Sequence, residues 1–98
     1  MDVTYTLNGI NFVWNADKAN ANKHRHDGIT FEQAAQAFFD PFLKAVDASR
    51  NEEIRDAIIG MDKAWNLLFV VNIQIEDDRI RLISARKATR TEQRYYEN

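Results

Sequence analysis

Ile80-Arg81-Leu82-Ile83-Ser84-Ala85-Arg86-Lys87-Ala88-Thr89-Arg90-Thr91-Glu92-Gln93-Arg94-Tyr95 changes period halfway along. Its first part alternates, with Ile80 and Leu82 set against Arg79 and Arg81, the period of two of a half-buried strand. Its last part opens with Thr89 and, three residues on, Glu92. That is a capping box, in which the hydroxyl accepts a backbone N–H and the acid reaches back to the cap. The spacing predicts a strand that runs into a helix, with Ser84, Arg86 and Lys87 at the strand end. From Arg79 to Arg94 there are five arginines, one lysine and a single acid, a concentration of positive charge that suits a phosphate. The plainer reading is a solvated basic surface.

The rest of the chain is not basic. It has 98 residues and a net charge of −2, and from Glu32 to Asp56 six acids face Lys44, Arg50 and Arg55. That balance excludes wholesale nucleic-acid binding but leaves room for a local site. The length suits one modest core, and an apolar fraction of 45% argues for a folded chain. Without cysteine there is neither a disulfide framework nor a thiolate metal site, and a reducing compartment is permitted. His24 and His26 are two apart and do not share a helical face, so neither a metal nor another cofactor is expected. Met1 to Tyr5 lacks signal-peptide order, and the apolar run Leu67–Val71 is too short to span a bilayer. These features predict a soluble cytoplasmic protein with no membrane contact.

Outward from the opening stretch, residues 1–9 carry little signal and are expected to fray. Ile10 to Trp14 suits an edge strand, and Asn15 caps a polar helix from Ala16 to about His26 that lies across the sheet surface. Asp27-Gly28 breaks it. Thr30 with Gln33 makes a second capping box, and Phe31, Ala34, Ala35 and Phe38 form the buried stripe of a helix ended by Asp40-Pro41. Strands follow at Phe42–Val46, Ile54–Met61 and Trp65–Glu76, with a polar loop over Asp47–Asn51 and a tight turn at Asp62-Lys63-Ala64. On the longest strand Leu67, Phe69, Val71, Ile73 and Ile75 share one face, while Leu68 and Val70 suggest cover on part of the other. Asp77-Asp78 turns the chain into the basic stretch as an antiparallel hairpin. The expected architecture is one α+β domain over residues 1–98. It has a mostly antiparallel sheet of four to five strands, two N-terminal helices packed on it and a C-terminal helix.

The run I-R-L-I-S-A-R-K-A-T-R-x-E-x-x-x-Y resembles the closing signature of the BrnT family of ribonuclease toxins. The N-terminal half is similar to the same family's opening, in Trp14-Asn15, Lys18, Asn22, Arg25-His26, Gly28 and Phe31-Glu32-Gln33-Ala34. Asp40-Pro41, and Arg55 with Gly60, extend the likeness over roughly residues 12 to 96. Asn15 stands for the usual aspartate, Arg25 for lysine, and Asp27 is extra. Ile54 stands where a glutamate commonly precedes the arginine, so the acid beside Arg55 is expected to be Glu52 or Glu53. The resemblance implies a compact RelE-like fold and a metal-independent ribonuclease of bacteria that inhibits translation. It also implies a BrnA-like ribbon-helix-helix antitoxin as partner, with operator DNA touched only through the toxin–antitoxin complex.

RNA cleavage without a metal needs a base for the 2′-hydroxyl, positive donors on the phosphate and an acid for the departing 5′-oxygen. Arg55 and Arg86 are the candidate clamps, because a guanidinium binds two phosphate oxygens and keeps its charge. Lys87 and Arg81 are lesser contributors, and Ser84 offers one more hydrogen bond. For Arg55 the plainer alternative is an ordinary ion pair to Glu52 or Glu53. His26 can serve as acid or base, since imidazole titrates near neutrality; the alternative is that it satisfies a helix-end carbonyl. Glu53, with Glu52 beside it, is a base candidate or a plain surface acid. Arg25 is a candidate RNA contact, and Trp65 either stacks on a base or packs at the rim of the core. Tyr95 and Tyr96 are expected to dock the last helix. A rival reading keeps the fold and loses the chemistry: a non-catalytic module that binds an antitoxin or nucleic acid.

Overall fold

The computed structural model describes every residue except Glu76 and Asp77, so the strand end and turn residue expected there lie outside the described residues. Nine elements follow one another: β1 (Asp2–Leu7), β2 (Ile10–Asn15), α1 (Ala16–Arg25), α2 (Phe31–Ala37), β3 (Lys44–Asp47), β4 (Asp56–Met61), β5 (Leu67–Ile75), β6 (Arg79–Lys87) and α3 (Arg90–Glu97). The strands form one sheet in the order β1-β2-β6-β5-β4-β3.

All three helix starts are where the cap residues put them. Asn15 accepts from the Lys18 N–H at 3.1 Å, and the Thr30/Gln33 and Thr89/Glu92 boxes both close reciprocally. The β5–β6 hairpin is antiparallel, as the alternation predicts.

The sheet itself departs from expectation in three ways. It has six strands rather than four or five, because residues expected to fray form β1. There Val3, Tyr5 and Leu7 alternate inward and pair with β2 across a tight turn at Asn8-Gly9, both at positive φ. Consequently Ile10–Trp14 is not an edge strand. It is flanked by β1 on one side and, in parallel, by β6 on the other, where Asn11–Val13 pair with Arg79–Arg81. The sheet is therefore mixed. A parallel neighbour contributed by the far end of the chain leaves no local signal, since strand partnership is settled by packing and not by adjacent residues.

The faces are also assigned differently. Leu68 and Val70 are fully buried, with Leu82 and Ala85 of β6, Ile58 of β4, and Phe12 and Trp14 of β2. α2 lies on this face through Phe31, Ala34, Ala35 and Ala37. Gly60 permits the close approach, since a Cβ there would collide with the Ala37 carbonyl. Leu67, Phe69, Val71, Ile73 and Ile75, the longer apolar row, lie on the opposite face and stay half exposed. Periodicity shows that two rows exist; it does not say which one the helices cover.

α1 does not lie flat on the sheet either. β6 pairs with β2 only through Arg79–Arg81, and beyond that its edge is open. Asn22, the one buried residue of α1, fills that place with its side chain. Its Nδ2 donates to the Ala85 carbonyl at 2.8 Å and the Ile29 carbonyl at 3.2 Å, and its Oδ1 accepts from the Ala85 N–H at 3.0 Å. A side-chain amide thus replaces a strand partner and ties the helix to the sheet edge.

Two buried or half-buried aspartates hold the other end. Asp62 accepts from the N–H groups of Ala64 and Asn66 and from the side chains of Gln33 and Asn66, closing the β4–β5 turn. Asp40 accepts from the Phe42 and Met61 N–H groups and from the Tyr96 hydroxyl at 2.6 Å, which docks α3. Tyr95 is half exposed, with the Lys44 ammonium 5.7 Å from its ring. Burial pushes the Tyr96 hydroxyl up to about 12, with the bond to Asp40 adding to it. At Asp40 and Asp62 burial acts upward, but the hydrogen bonds outweigh it and both stay below the ordinary carboxylate value. A depressed carboxylate adds stability above its unfolded pKa, and that stability is lost as pH falls through the folded one. Urea midpoints are therefore expected to hold from pH 7 to 5 and to fall below about pH 4. An unchanged midpoint at pH 3 would contradict these roles.

Candidate active site

Two clefts meet at a common wall. The first, about 520 Å³, is lined by Asp47, Ala48, Ser49, Arg50, Arg55, Phe69, Val71, Ser84 and Arg86. The second, about 370 Å³, opens between α1 and β6, and Lys18, Arg25 and His26 line it with Arg55, Ile83 and Ser84. Arg55 and Ser84 belong to both. A bulge in the β5–β6 ladder sits at this junction: Ser84 pairs with Val71 and Leu82 with Asn72, leaving Ile83 between them unpaired. Such a bulge bends the strand and re-aims its side chains.

Each cationic group is held from a fixed base. Arg55 precedes β4 at the foot of a hairpin whose turn residues, Asn51 and Glu52, have φ of 46° and 69°. Two positive φ values in succession match a type I′ turn, closed by a bridge between Arg50 and Glu53. The Ser49 hydroxyl accepts from the Arg55 N–H at 3.1 Å and donates to its carbonyl at 3.3 Å, fixing the backbone there. The Arg55 side chain pairs with Glu53 at 2.8 Å, while its Nε is buried with no hydrogen-bond partner. The chain thus leaves that guanidinium incompletely satisfied.

Arg86 comes from the middle of the basic stretch. It lies over the Phe69 ring, its Cζ 4.3 Å from the centroid, and grips Glu92 of α3 through Nη1 at 2.7 Å and Nη2 at 2.9 Å. The bond to Glu92 raises the Arg86 pKa above its ordinary value, against burial. Burial pushes Glu92 up, and the bonds from Arg86 and Thr89 bring it below the ordinary range.

Arg25 and His26 end α1, so the Asn22 anchor sets where they lie. Lys18, Asn22 and Arg25 fall on one helix face at i, i+4 and i+7. The His26 ring makes no hydrogen bond among the described residues, so it does not serve as a carbonyl cap. His24 is exposed, with Nδ1 2.9 Å from the Asn20 carbonyl. Among the described residues no acid lines the second cleft; the first has Asp47, held low by the hydroxyl and N–H of Ser49.

Five expected site residues, Arg25, His26, Arg55, Ser84 and Arg86, thus line the joined clefts. Four others do not. Glu53 touches Arg55 but lines neither cleft. Arg81 pairs with Asp2 at 2.9 Å, and Lys87 is exposed at the end of β6, across from Leu68. Trp65 neither packs on the core nor opens β5: it sits in the β4–β5 turn at φ 67° with 83% of its surface exposed. Asp47, Ser49, Arg50 and Phe69 line the clefts without a sequence motif to mark them, and Lys18 is marked only by the family likeness, not as a site residue. Helical spacing carried the signal for Lys18, and for Phe69 it was the cross-strand register with Arg86. Among the described residues no three His, Asp or Glu side chains gather as a metal-binding group, and no helix is long and apolar enough to cross a membrane.

The structure defines a small α+β domain with Arg55 and Arg86 on one open cleft. Residues 14–92 match the family model described as the ribonuclease toxin, BrnT, of type II toxin–antitoxin systems, and the chain belongs to that family. Membership makes it a ribonuclease toxin with RNA as substrate and an antitoxin as partner. No match was found among curated proteins.

Proposed function

We propose that the chain acts as one toxin domain, a metal-independent endoribonuclease that cuts RNA by attack of the 2′-hydroxyl on the adjacent phosphate. The observation that carries this is the shared wall: Arg55 and Ser84 are reached from both clefts, with Arg86 on one side and Arg25 and His26 on the other. A phosphodiester at that junction meets two guanidinium groups, which stabilise the charge building on the non-bridging oxygens as the 2′-oxygen bonds to phosphorus. The Ser84 hydroxyl donates to a third position. His26 carries one of the two protons of the reaction, and the other exchanges with solvent in the open cleft. Glu53 is better placed to hold Arg55 than to act as a base. Lys18 and Arg25 receive the neighbouring phosphate. Lys18, Arg25, Arg50, Arg55 and Arg86 outnumber Asp47 in the joined lining, and this excess of positive charge supports a reaction that does not rely on a metal.

The test is cleavage of end-labelled RNA in excess EDTA. A 2′,3′-cyclic phosphate is the expected product, and a 2′-deoxy nucleotide at the cut site should block it. Cleavage that needs a divalent ion, or that ignores the 2′-deoxy substitution, would overturn the mechanism. Binding gives an independent prediction. Affinity for a 2′-deoxy analogue should fall with salt, with a log–log slope of roughly −0.7 per phosphate held, about −1.4 for two. A flat response would assign the cleft to protein contacts.

The partner we infer is a BrnA-like ribbon-helix-helix antitoxin, with operator DNA bound only through the complex. One observation favours the rival, non-catalytic module: both clamping arginines already carry carboxylates, Glu53 and Glu92. Intact RNA after prolonged incubation with folded protein would select it.

A further inference from the structure

We propose that Glu92 is a positioning residue: with Phe69 it locks the Arg86 guanidinium so that its Nε–Nη2 edge is presented to the scissile phosphate. This rests on the ribonuclease reading.

The capping box does not account for Glu92. A box needs one oxygen at the third helical position, and α2 makes its box with an uncharged residue, Gln33, whose Oε1 accepts from the Thr30 N–H at 2.9 Å. In α3, Oε1 of Glu92 accepts from the Thr89 N–H at 2.9 Å, whereas among the described residues Oε2 bonds only Nη2 of Arg86. The second oxygen and the negative charge are therefore spent on the arginine.

Counting donors shows what is left. A guanidinium has five N–H groups. Nη1 gives one to Glu92 and one to the Lys87 carbonyl at 3.3 Å, and Nη2 gives one to Glu92. The remaining two, Nε–H and the second N–H of Nη2, lie along one edge and match two oxygens of a phosphate. Phe69, directly opposite Arg86 in the β5–β6 register, lies beneath the guanidinium. Rotation about the last side-chain bonds is thus blocked by two hydrogen bonds at the end and an aromatic ring below. A carboxylate beside an arginine weakens its pull on RNA, so this arrangement favours orientation over affinity.

Glu92→Gln separates the roles, since glutamine keeps the cap, as Gln33 does. We expect kcat for RNA cleavage to fall about tenfold while KM holds or drops, because a negative charge has left the cleft. Phe69→Leu should lower kcat in the same way, and it serves as the second variant should Glu92→Gln fail to fold. An unchanged kcat in folded Glu92→Gln would reduce Glu92 to a cap and overturn the proposal. A raised kcat would overturn it in favour of an inhibitory clamp, as would a raised KM at constant kcat in favour of simple binding.

The second readout needs no turnover. In ¹⁵N spectra of the arginine side chains, Arg86 Nε–H should shift on titration with inorganic phosphate in the parent protein, and its Nη rotation should be slow. Both features should be lost in Glu92→Gln. If the parent protein leaves RNA intact, the ribonuclease reading fails. These spectra still decide the positioning role, and identical behaviour of the two proteins overturns it.

Discussion

Arg86→Ala is expected to lower RNA cleavage by at least about a hundredfold while leaving the fold in place. Removing one preorganised donor aimed at developing charge typically costs that much in kcat, and Arg86 is the more tightly held of the two clamps. Lysine at this position should recover little. It keeps the charge but loses the planar fork, and with it the two-point grip on Glu92 and the flat contact with Phe69. Single-turnover cleavage measures the loss, and circular dichroism checks that the variant is folded. A variant within threefold of the parent would remove Arg86 from the chemistry and leave Arg55 without a partner across the first cleft.

The second large effect concerns stability. Asn22→Ala should destabilise the domain by roughly 2–5 kcal/mol, because truncation strips hydrogen bonds from the N–H and carbonyl of the fully buried Ala85. An orphaned buried group of this kind costs about 1–3 kcal/mol, and small domains have only about 5–15 kcal/mol in total. The melting temperature should fall by about 10 °C or more. Asn20→Ala, on the exposed side of the same helix, should stay within about 0.5 kcal/mol. Urea denaturation compares the two. Equal midpoints would mean that α1 is held by something other than the Asn22 bracket.

The same residue links stability to function. Asn22 seats the helix whose last residues, Arg25 and His26, line the second cleft. Activity in Asn22→Ala should therefore drop even at temperatures where the protein stays folded, through displacement of α1 and not of the β-sheet.

Local chemistry was legible wherever a single residue does its work within a few positions. Asn15, Thr30 with Gln33, and Thr89 with Glu92 cap helices because a side-chain oxygen and a nearby N–H are the whole interaction. Asp62 closes its turn for the same reason. The concentration of guanidinium groups at the end of β6 was visible too, as was the likeness that joins Arg55 and Arg86 to one family. Trp65 shows the limit of such reading. Packing at the rim of the core was one of its two expected roles, yet a left-handed turn carries it out into solvent.

By itself the sequence determined the helix starts, the β5–β6 hairpin and the supply of cationic side chains, all of which depend on neighbours along the chain. Tertiary structure alone decided that β1 pairs, that β2 meets β6 in parallel, and that the shorter apolar row of β5 faces the helices. It also brought Arg55 beside Ser84 and set Glu92 against Arg86. These outcomes depend on which surfaces are buried together, and burial is a property of the assembled core that no short segment encodes.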